Sequence, residues 1–586
     1  MKTRKIIALA LSLVLTLSVM LSSTGCVTLL ENLLEEFGLS EIPDPWQGNT
    51  AERRTVKFGE MEYTRPDYDA LSEEVQRIAS QVEANELPYS EQLAELNALD
   101  TPYYTYSSMY ALANIRFSMD SSDSYWSSEC DFFDETYATL MQEVEDIYVA
   151  CANSPHKDSF EEDYFGKGFL DDYVDGGRMT DELVALFQEE ASTVTRYKEY
   201  DYDPEFEYKD AIADVYTHLE ADNYIHYNEI VDLYYKQINK DLGELYVQIV
   251  KTRQKIAAGM GYASYAEYVF DRELDRDYTA EQADAYVGDI VKYIVPLYKE
   301  LSKANKLSLS GEPMKMKEKS VLNALCNVTS RIDPRFTEIS DYMKKYDLYY
   351  LGYSEEQTNE SFTTYIEDYD APFVCIHGDG TVSDLMTFVH EFGHFTDGYL
   401  NWNTDYVLDQ CESASQSLEY LFLCNVTDDD VFTGGKLYLQ KMKNIDTLDV
   451  YVSQSLFHYF ESQVYKLPES QITLERINQL AADAVKLFGL ENEENYMDFD
   501  LLWGSIPHFF NQAFYVISYV TSQDVALEVY KVGLDDAENG TELYFKLLDW
   551  DPDMTFVENV ARAGLDSPFK AGHVEAQADF LRSLFE

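Results

Sequence analysis

Positive charge is scarce in this chain: 44 Lys and Arg stand against 107 Asp and Glu over 586 residues, a formal charge of −63 at pH 7. A surface so acidic repels a polyphosphate backbone, which excludes nucleic acid as a general partner. Cysteine is sparse too. Cys26, Cys130, Cys151, Cys326, Cys375, Cys411 and Cys424 show no C-x-x-C or other paired spacing, so the chain encodes no disulfide framework, and those after Cys26 read as small buried hydrophobes. No apolar run after residue 25 reaches the ~20 residues that a bilayer-spanning helix needs. Internal repeats and low-complexity tracts are missing. Gly378-Asp379-Gly380 lacks the surroundings of a dinucleotide loop and Asp428-Asp429-Asp430 lacks calcium-loop spacing, so both read as turns.

What is present is ample core material: 46% hydrophobic and 14% aromatic residues, enough for more than one packed unit at this length. Lys2, Arg4 and Lys5 precede an apolar run from Ile6 to Leu21, and Ser23-Thr24-Gly25-Cys26 follows. Residues 1–25 therefore read as an export signal. The small residues before Cys26 resemble a bacterial lipobox, which predicts a lipid on Cys26 and a mature protein anchored to the outer face of the cytoplasmic membrane; ordinary secretion is the alternative. Loss of residues 1–25 removes three basic and no acidic residues, leaving 41 basic against 107 acidic, a net −66.

Residues 26–60 read as a tether, with the breakers Ile42-Pro43-Asp44-Pro45 and a basic pair, Arg53-Arg54. From 61 to 200, apolar residues at helical spacing, such as Leu140, Val144, Ile147 and Tyr148, predict a helical N-terminal lobe. A second, larger unit covers 201–586, with long amphipathic helices over Tyr224–Ile256 and Glu281–Leu307. Pro372–Ile376 is the best strand and is read as an edge.

The chemistry concentrates at His390-Glu391-Phe392-Gly393-His394. Thr381 or Ser383 can cap a helix here that runs to about Tyr399, with Leu385, Phe388, Phe392 and Phe395 as its buried stripe. At ~100° per residue the two imidazoles lie about 40° apart on another face, where both can bind one zinc ion with Glu391 as general base. Asp397 shares that face and can orient an imidazole through its second nitrogen. A third ligand is required. The helix expected from about Asp409 offers Glu412 and Glu419 on one face; spacing alone leaves both open, and Asp409-x-x-Glu412 also fits a capping box. A further helix expected from Ser505-Ile506-Pro507 aligns His508, Gln512, Tyr515 and Tyr519, opposite Phe510, Phe514 and Ile517. Hydroxyls and an imidazole in that stripe can donate to the oxyanion of a tetrahedral intermediate.

The blocks His390–His394, Glu412-Ser413-Ala414-Ser415-Gln416-Ser417-Leu418-Glu419 and Ile506-Pro507-His508-Phe509-Phe510 with Phe514-Tyr515-Val516 together resemble the thimet oligopeptidase and oligopeptidase F family of zinc metallopeptidases. The resemblance implies a mainly α, two-lobed fold around a deep channel for short unfolded peptides, with a small β-sheet beside the motif helix. It implies one Zn2+ per chain on His390, His394 and Glu412, which leaves Glu419 in a supporting role. His508 matches the family's substrate-contacting histidine. Ile517 stands where a further tyrosine is common, which leaves open whether Tyr515 or Tyr519 faces the oxyanion, and His377 replaces a frequent asparagine. The expected activity is hydrolysis of internal peptide bonds at the cell surface. Two rivals keep the fold without it: a peptide-binding lipoprotein with little turnover, and a structural protein in which zinc only staples helices.

Overall fold

Apolar residues three and four apart build most of this protein. In α1 (Tyr68–Ala84), Leu71, Val75, Ile78 and Val82 form one buried stripe; Asp67 caps its start by accepting from the Ala70 N–H, and Asn85, left-handed, ends it. α1 packs on α3 (Ser124–Ala152), while α2 (Tyr89–Met119) crosses to the sheet described below. α4 (Asp181–Lys198) lies on α5 (Tyr224–Gly259). α6 (Ala280–Lys303) starts at a Thr279–Gln282 capping box, and α7 (Glu318–Ile332) and α8 (Pro334–Lys345) follow. The structure is a computed structural model that describes residues 53–586 except 174–179, 199, 201–223, 310–313, 355, 359, 402–407, 494–495, 497 and 552–553. The expected export signal, Cys26 and most of the expected tether lie outside the described residues.

Among the described residues the sheet has three strands, β1 (Tyr349–Gly352), β2 (Phe362–Ile366) and β3 (Ala371–His377), in the order β1-β3-β2. β3 pairs in parallel with β1, Tyr349 opposite Val374, and antiparallel with β2, Thr363 opposite Val374. The strand read from the sequence as an edge is therefore central, and its unbroken buried run from Ala371 to Ile376 is the mark of a strand covered on both faces. The outer strand beside the motif helix is β2. Arg54, from the expected tether, pairs with Asp370 at 2.9 Å, and Phe58 packs on Phe373 with ring centroids 4.4 Å apart, so residues 54–60 dock on this sheet.

Helices α9 (Ser383–Leu400) and α10 (Leu408–Asn425) follow, then α11 (Gly435–Tyr465), α12 (Leu474–Phe488), α13 (Ile517–Asp535), α14 (Ala537–Leu548), α15 (Phe556–Ala563) and α16 (His573–Ser583). α9 spans the expected residues but is not capped by Thr381 or Ser383. Asp384 instead accepts the N–H groups of Asp379 and Gly380, both at 3.0 Å, and ties the preceding turn to the helix. α10 is buried at every position from Asp409 to Leu423, packed among α9, α13 and α14. Its polar side chains must therefore find partners inside the protein. No helix among the described residues is long and apolar enough to cross a membrane.

The single helix expected from Ser505 to Tyr519 is two pieces. One turn, His508–Asn511, stops at Gln512, whose backbone is extended, and α13 begins at Ile517. Between them Phe514 has φ +60°. Tertiary packing overrides helical spacing here: Phe509, Phe510 and Phe514 are all buried, Phe510 stacking on Tyr197 at 3.8 Å and Phe514 lying against Phe270. A regular helix would put Phe510 and Phe514 on one face, whereas here the two rings pack against different partners, Tyr197 and Phe270.

Candidate active site

α9 and α10 cross closely enough that a Cβ on Gly393 would lie 2.5 Å from the Ser415 Cα. Glycine permits this approach, and it brings Glu412 up to the two imidazoles. Glu412 Oε2 stands 3.5 Å from His390 Nε2 and 3.8 Å from His394 Nε2, and one ligand atom from each residue falls within 4.8 Å of the others. Zinc bonds of about 2.0–2.1 Å hold tetrahedral ligand atoms roughly 3.3 Å apart, so this donor set fits the ion with small side-chain adjustment. The capping-box use of Glu412 is not found. Asp409 faces inward, accepting from Tyr278 at 2.9 Å and Ser518 at 3.0 Å.

Glu419 lies two turns along α10 and meets the far nitrogen of His390, Oε1 to Nδ1 at 3.0 Å. Its other oxygen pairs with the buried Lys443 of α11 at 2.8 Å. Burial pushes the Glu419 carboxyl up, but Lys443 and His390 outweigh it and hold the group below its ordinary range. Burial likewise pushes His390 down, yet the bond from Glu419 and the nearby Glu412 charge lift it to about 9. His394 is driven well below its ordinary value by burial and by His390. Burial raises Glu412 to about 7. His390, His394 and Glu412 thus lie close enough to shift one another's charge state, and they form the possible donor set, with Glu419 behind His390.

Glu391 sits under β2. The Thr363 hydroxyl lies 2.8 Å from its Oε2 and 2.9 Å from its carbonyl oxygen, so it holds the side chain while burial raises the carboxyl. Asp397 is buried but does not orient an imidazole; Asn401 donates to it at 2.6 Å, and His394 Nδ1 has no hydrogen-bond partner among the described residues. The His508, Tyr515 and Tyr519 rings gather at centroid distances of 5.2–5.8 Å despite the broken helix. Tyr515 Oη is 3.5 Å from Glu412 Oε1, whereas Tyr519 Oη is 3.4 Å from His508 Nε2. Gln512, expected in the same stripe, turns away and donates to Glu273 at 2.8 Å. His377 ends β3 with its N–H on Ser361 at 3.0 Å.

Two cavities border the cluster. One of about 400 Å³ is lined by His390, Glu419, Lys443 and Tyr519, and one of about 320 Å³ by Thr363, Pro372, His394 and Trp550. Thr363 and Lys443 did not emerge from the sequence. Thr363 had a weak signal, since Phe362-Thr363-Thr364-Tyr365-Ile366 is β-branched and aromatic, but a lone lysine at 443 gave none.

Two family models match the chain: the peptidase M3 N-terminal domain over residues 58–172, and peptidase family M3 over 349–578. Among curated proteins it is similar to Oligopeptidase PepF of Bacillus subtilis (strain 168), 24% identical over 206 residues, covering 33% of this chain and 30% of that protein. Oligoendopeptidase F, chromosomal, of Lactococcus lactis subsp. cremoris is 24% identical over 223 residues, covering 36% and 35%. The matched stretches thus span about a third of the length of these relatives. Among solved structures, PZ peptidase A with an inhibitor superposes with a TM-score of 0.77 at 22% identity, over 90% of this chain and 99% of that one. With the N-terminal and main family domains present in that order, and His390, Glu391, His394, Glu412, His508, Tyr515 and Tyr519 all inside the second, this chain belongs to peptidase family M3.

Proposed function

We propose that this protein is a zinc-dependent endopeptidase that hydrolyses internal bonds of short unfolded peptides at the cell surface, held there by a lipid on Cys26. The observation that carries the reading is Glu391, fixed by Thr363 beside a three-residue donor set that leaves one tetrahedral position open. Zinc held by His390, His394 and Glu412 would supply Lewis acidity toward a water and the scissile carbonyl. Glu391 takes the proton from the attacking water and delivers it to the leaving amine. Tyr515 is the nearer donor to the developing oxyanion, because its hydroxyl faces Glu412, while Tyr519 pairs with His508 and steadies it toward substrate.

Glu419, backed by Lys443, orients His390 through its second nitrogen. The outer strand β2 offers main-chain groups to an extended peptide next to Glu391, and recognition through backbone makes side-chain selectivity broad. Cavities on the His390 and His394 sides give room for residues on either side of the cleaved bond.

A pool of quenched fluorogenic peptides of graded length tests the activity: cleavage that stops with 1,10-phenanthroline, returns with zinc and declines with length supports it. Tight binding without cleavage by fully loaded protein replaces it with the peptide-binding reading. The anchor is tested apart, by replacing Cys26 with serine in a bacterial host. Release from the membrane fraction is the expected result, and unchanged fractionation opposes it.

A further inference from the structure

The segment between His508 and α13 keeps a few turn hydrogen bonds, such as the Gln512 N–H to the His508 carbonyl at 3.1 Å and the Tyr515 N–H to the Gln512 carbonyl at 3.4 Å, and three buried ionisable side chains brace it further. Arg253 of α5, 2% exposed, donates to the carbonyls of Phe509 at 3.0 Å and Phe510 at 2.6 Å. Arg276 donates to the Phe514 carbonyl at 2.9 Å and to the Ser518 hydroxyl at 2.6 Å. Glu461 of α11 accepts the Phe514 N–H at 2.7 Å.

Phe514 is thus gripped at both of its backbone groups, and it is the residue at φ +60°. A bulky side chain rarely adopts that conformation and keeps it only where its surroundings impose it. The consequence falls on the next residue. Phe514 turns the chain so that Tyr515 points back to Glu412, with its hydroxyl 3.5 Å away. The grip also reaches the ligand helix, because Arg276 Nε stands 3.5 Å from Asp409 Oδ2, one turn before Glu412 on α10. One chain of contacts, Asp409 to Arg276 to Phe514, therefore joins the helix that presents Glu412 to the loop that presents Tyr515.

We infer that Arg276 and Glu461 are positioning residues: by holding both backbone groups of Phe514 they place the Tyr515 hydroxyl beside Glu412, an assignment that rests on the peptide-hydrolysis reading above. A role confined to stability would leave the contribution of Tyr515 intact in whatever protein folds. A positioning role makes the two inseparable.

The test is a double-mutant cycle on the zinc-loaded full chain with one fluorogenic peptide, comparing Glu461→Leu, Tyr515→Phe and the pair. Glu461→Leu is expected to lower kcat about 100-fold, the scale of a 1 Å misplacement, with KM and zinc content near wild type. In the Tyr515→Phe background it should add almost nothing, and Glu461→Gln, which still accepts the Phe514 N–H, should restore the rate. Independent, multiplicative effects of the two substitutions would overturn the inference. Should Glu461→Leu fail to fold, Arg276→Lys takes its place, keeping the charge beside Asp409 while losing the grip on Phe514. A second readout needs no turnover: 3-fluorotyrosine at position 515, followed by 19F NMR. One sharp resonance in wild type that shifts or broadens with Glu461→Leu supports positioning even if no peptide is cleaved, and an unchanged resonance refutes it. Absence of cleavage by wild type would by itself count only against the hydrolase reading.

Discussion

Gly393→Ala is the smallest change that should take the proposed metal centre apart. Its Cβ would sit 2.5 Å from the Ser415 Cα, 3.1 Å from the Ser415 Cβ and 3.3 Å from the Ser415 carbonyl oxygen. Ordinary carbon contacts begin at about 3.5 Å, so α9 and α10 must part by roughly 1 Å. The first atom met is backbone in a helix buried on every side, which leaves no side chain to swing aside. Overpacking of this kind costs about 1–3 kcal/mol. The larger effect is on the ligands, because Glu412 lies one turn from Ser415 and metal bond lengths tolerate only about ±0.2 Å. Zinc affinity, measured by competition with a chromophoric chelator, should fall at least tenfold, roughly the loss caused by disturbing a ligand's supporting contacts. The melting temperature of the zinc-free protein should fall as well. A Gly393→Ala protein that binds zinc like wild type and melts with it would refute the close crossing and the reasoning built on it.

Removing the Glu419 carboxylate by Glu419→Ala frees His390 Nδ1 and leaves Lys443 buried beside Asp446 alone, so zinc affinity should drop about 10–100-fold by the same titration. Thr363→Val deletes the hydroxyl that fixes Glu391 and should lower kcat about tenfold with zinc content unchanged, as read by steady-state kinetics and metal analysis. Burial lifts the Glu461 carboxyl to about 8, against the Phe514 N–H and the charges of Arg253 and Arg276, which pull it down. The folded state therefore holds this proton at pH values where the unfolded chain has released it. The stability so contributed is complete below the ordinary carboxylate range and is lost as pH rises through about 8. Relative to Glu461→Gln, wild type should become progressively less stable to urea from about pH 5 to about pH 8 and level off above; parallel curves would contradict this.

The motif pair was legible because it is local: His390 and His394 share a helix face wherever that helix forms, and the apolar stripe from Leu385 to Phe395 makes it form. Glu412 was a candidate from α10's own spacing but competed with Glu419, since periodicity shows which residues share a face and not which one meets another helix. The crossing at Gly393 and Ser415 brings Glu412, rather than Glu419, to the Nε2 atoms of both imidazoles. Thr363, Lys443, Arg276 and Glu461 reach the site from other elements, and no spacing within one segment encodes such encounters. The His508–Tyr519 segment misled for a related reason. Its polar residues fall on a helical line, yet three buried phenylalanines and two arginines break that helix, and Tyr515 arrives at Glu412 by a route that periodicity does not describe. β3 misled more avoidably: a run buried at every position from Ala371 to Ile376 belongs in the middle of a sheet.

The central claim, that Glu391 moves the proton in a zinc-assisted hydrolysis, is tested most directly by comparing wild type with Glu391→Gln at equal, measured zinc occupancy on the same peptide. The account predicts that the glutamine protein keeps its zinc and binds the peptide but loses at least about a hundredfold in kcat. Equal turnover by the two proteins would contradict it.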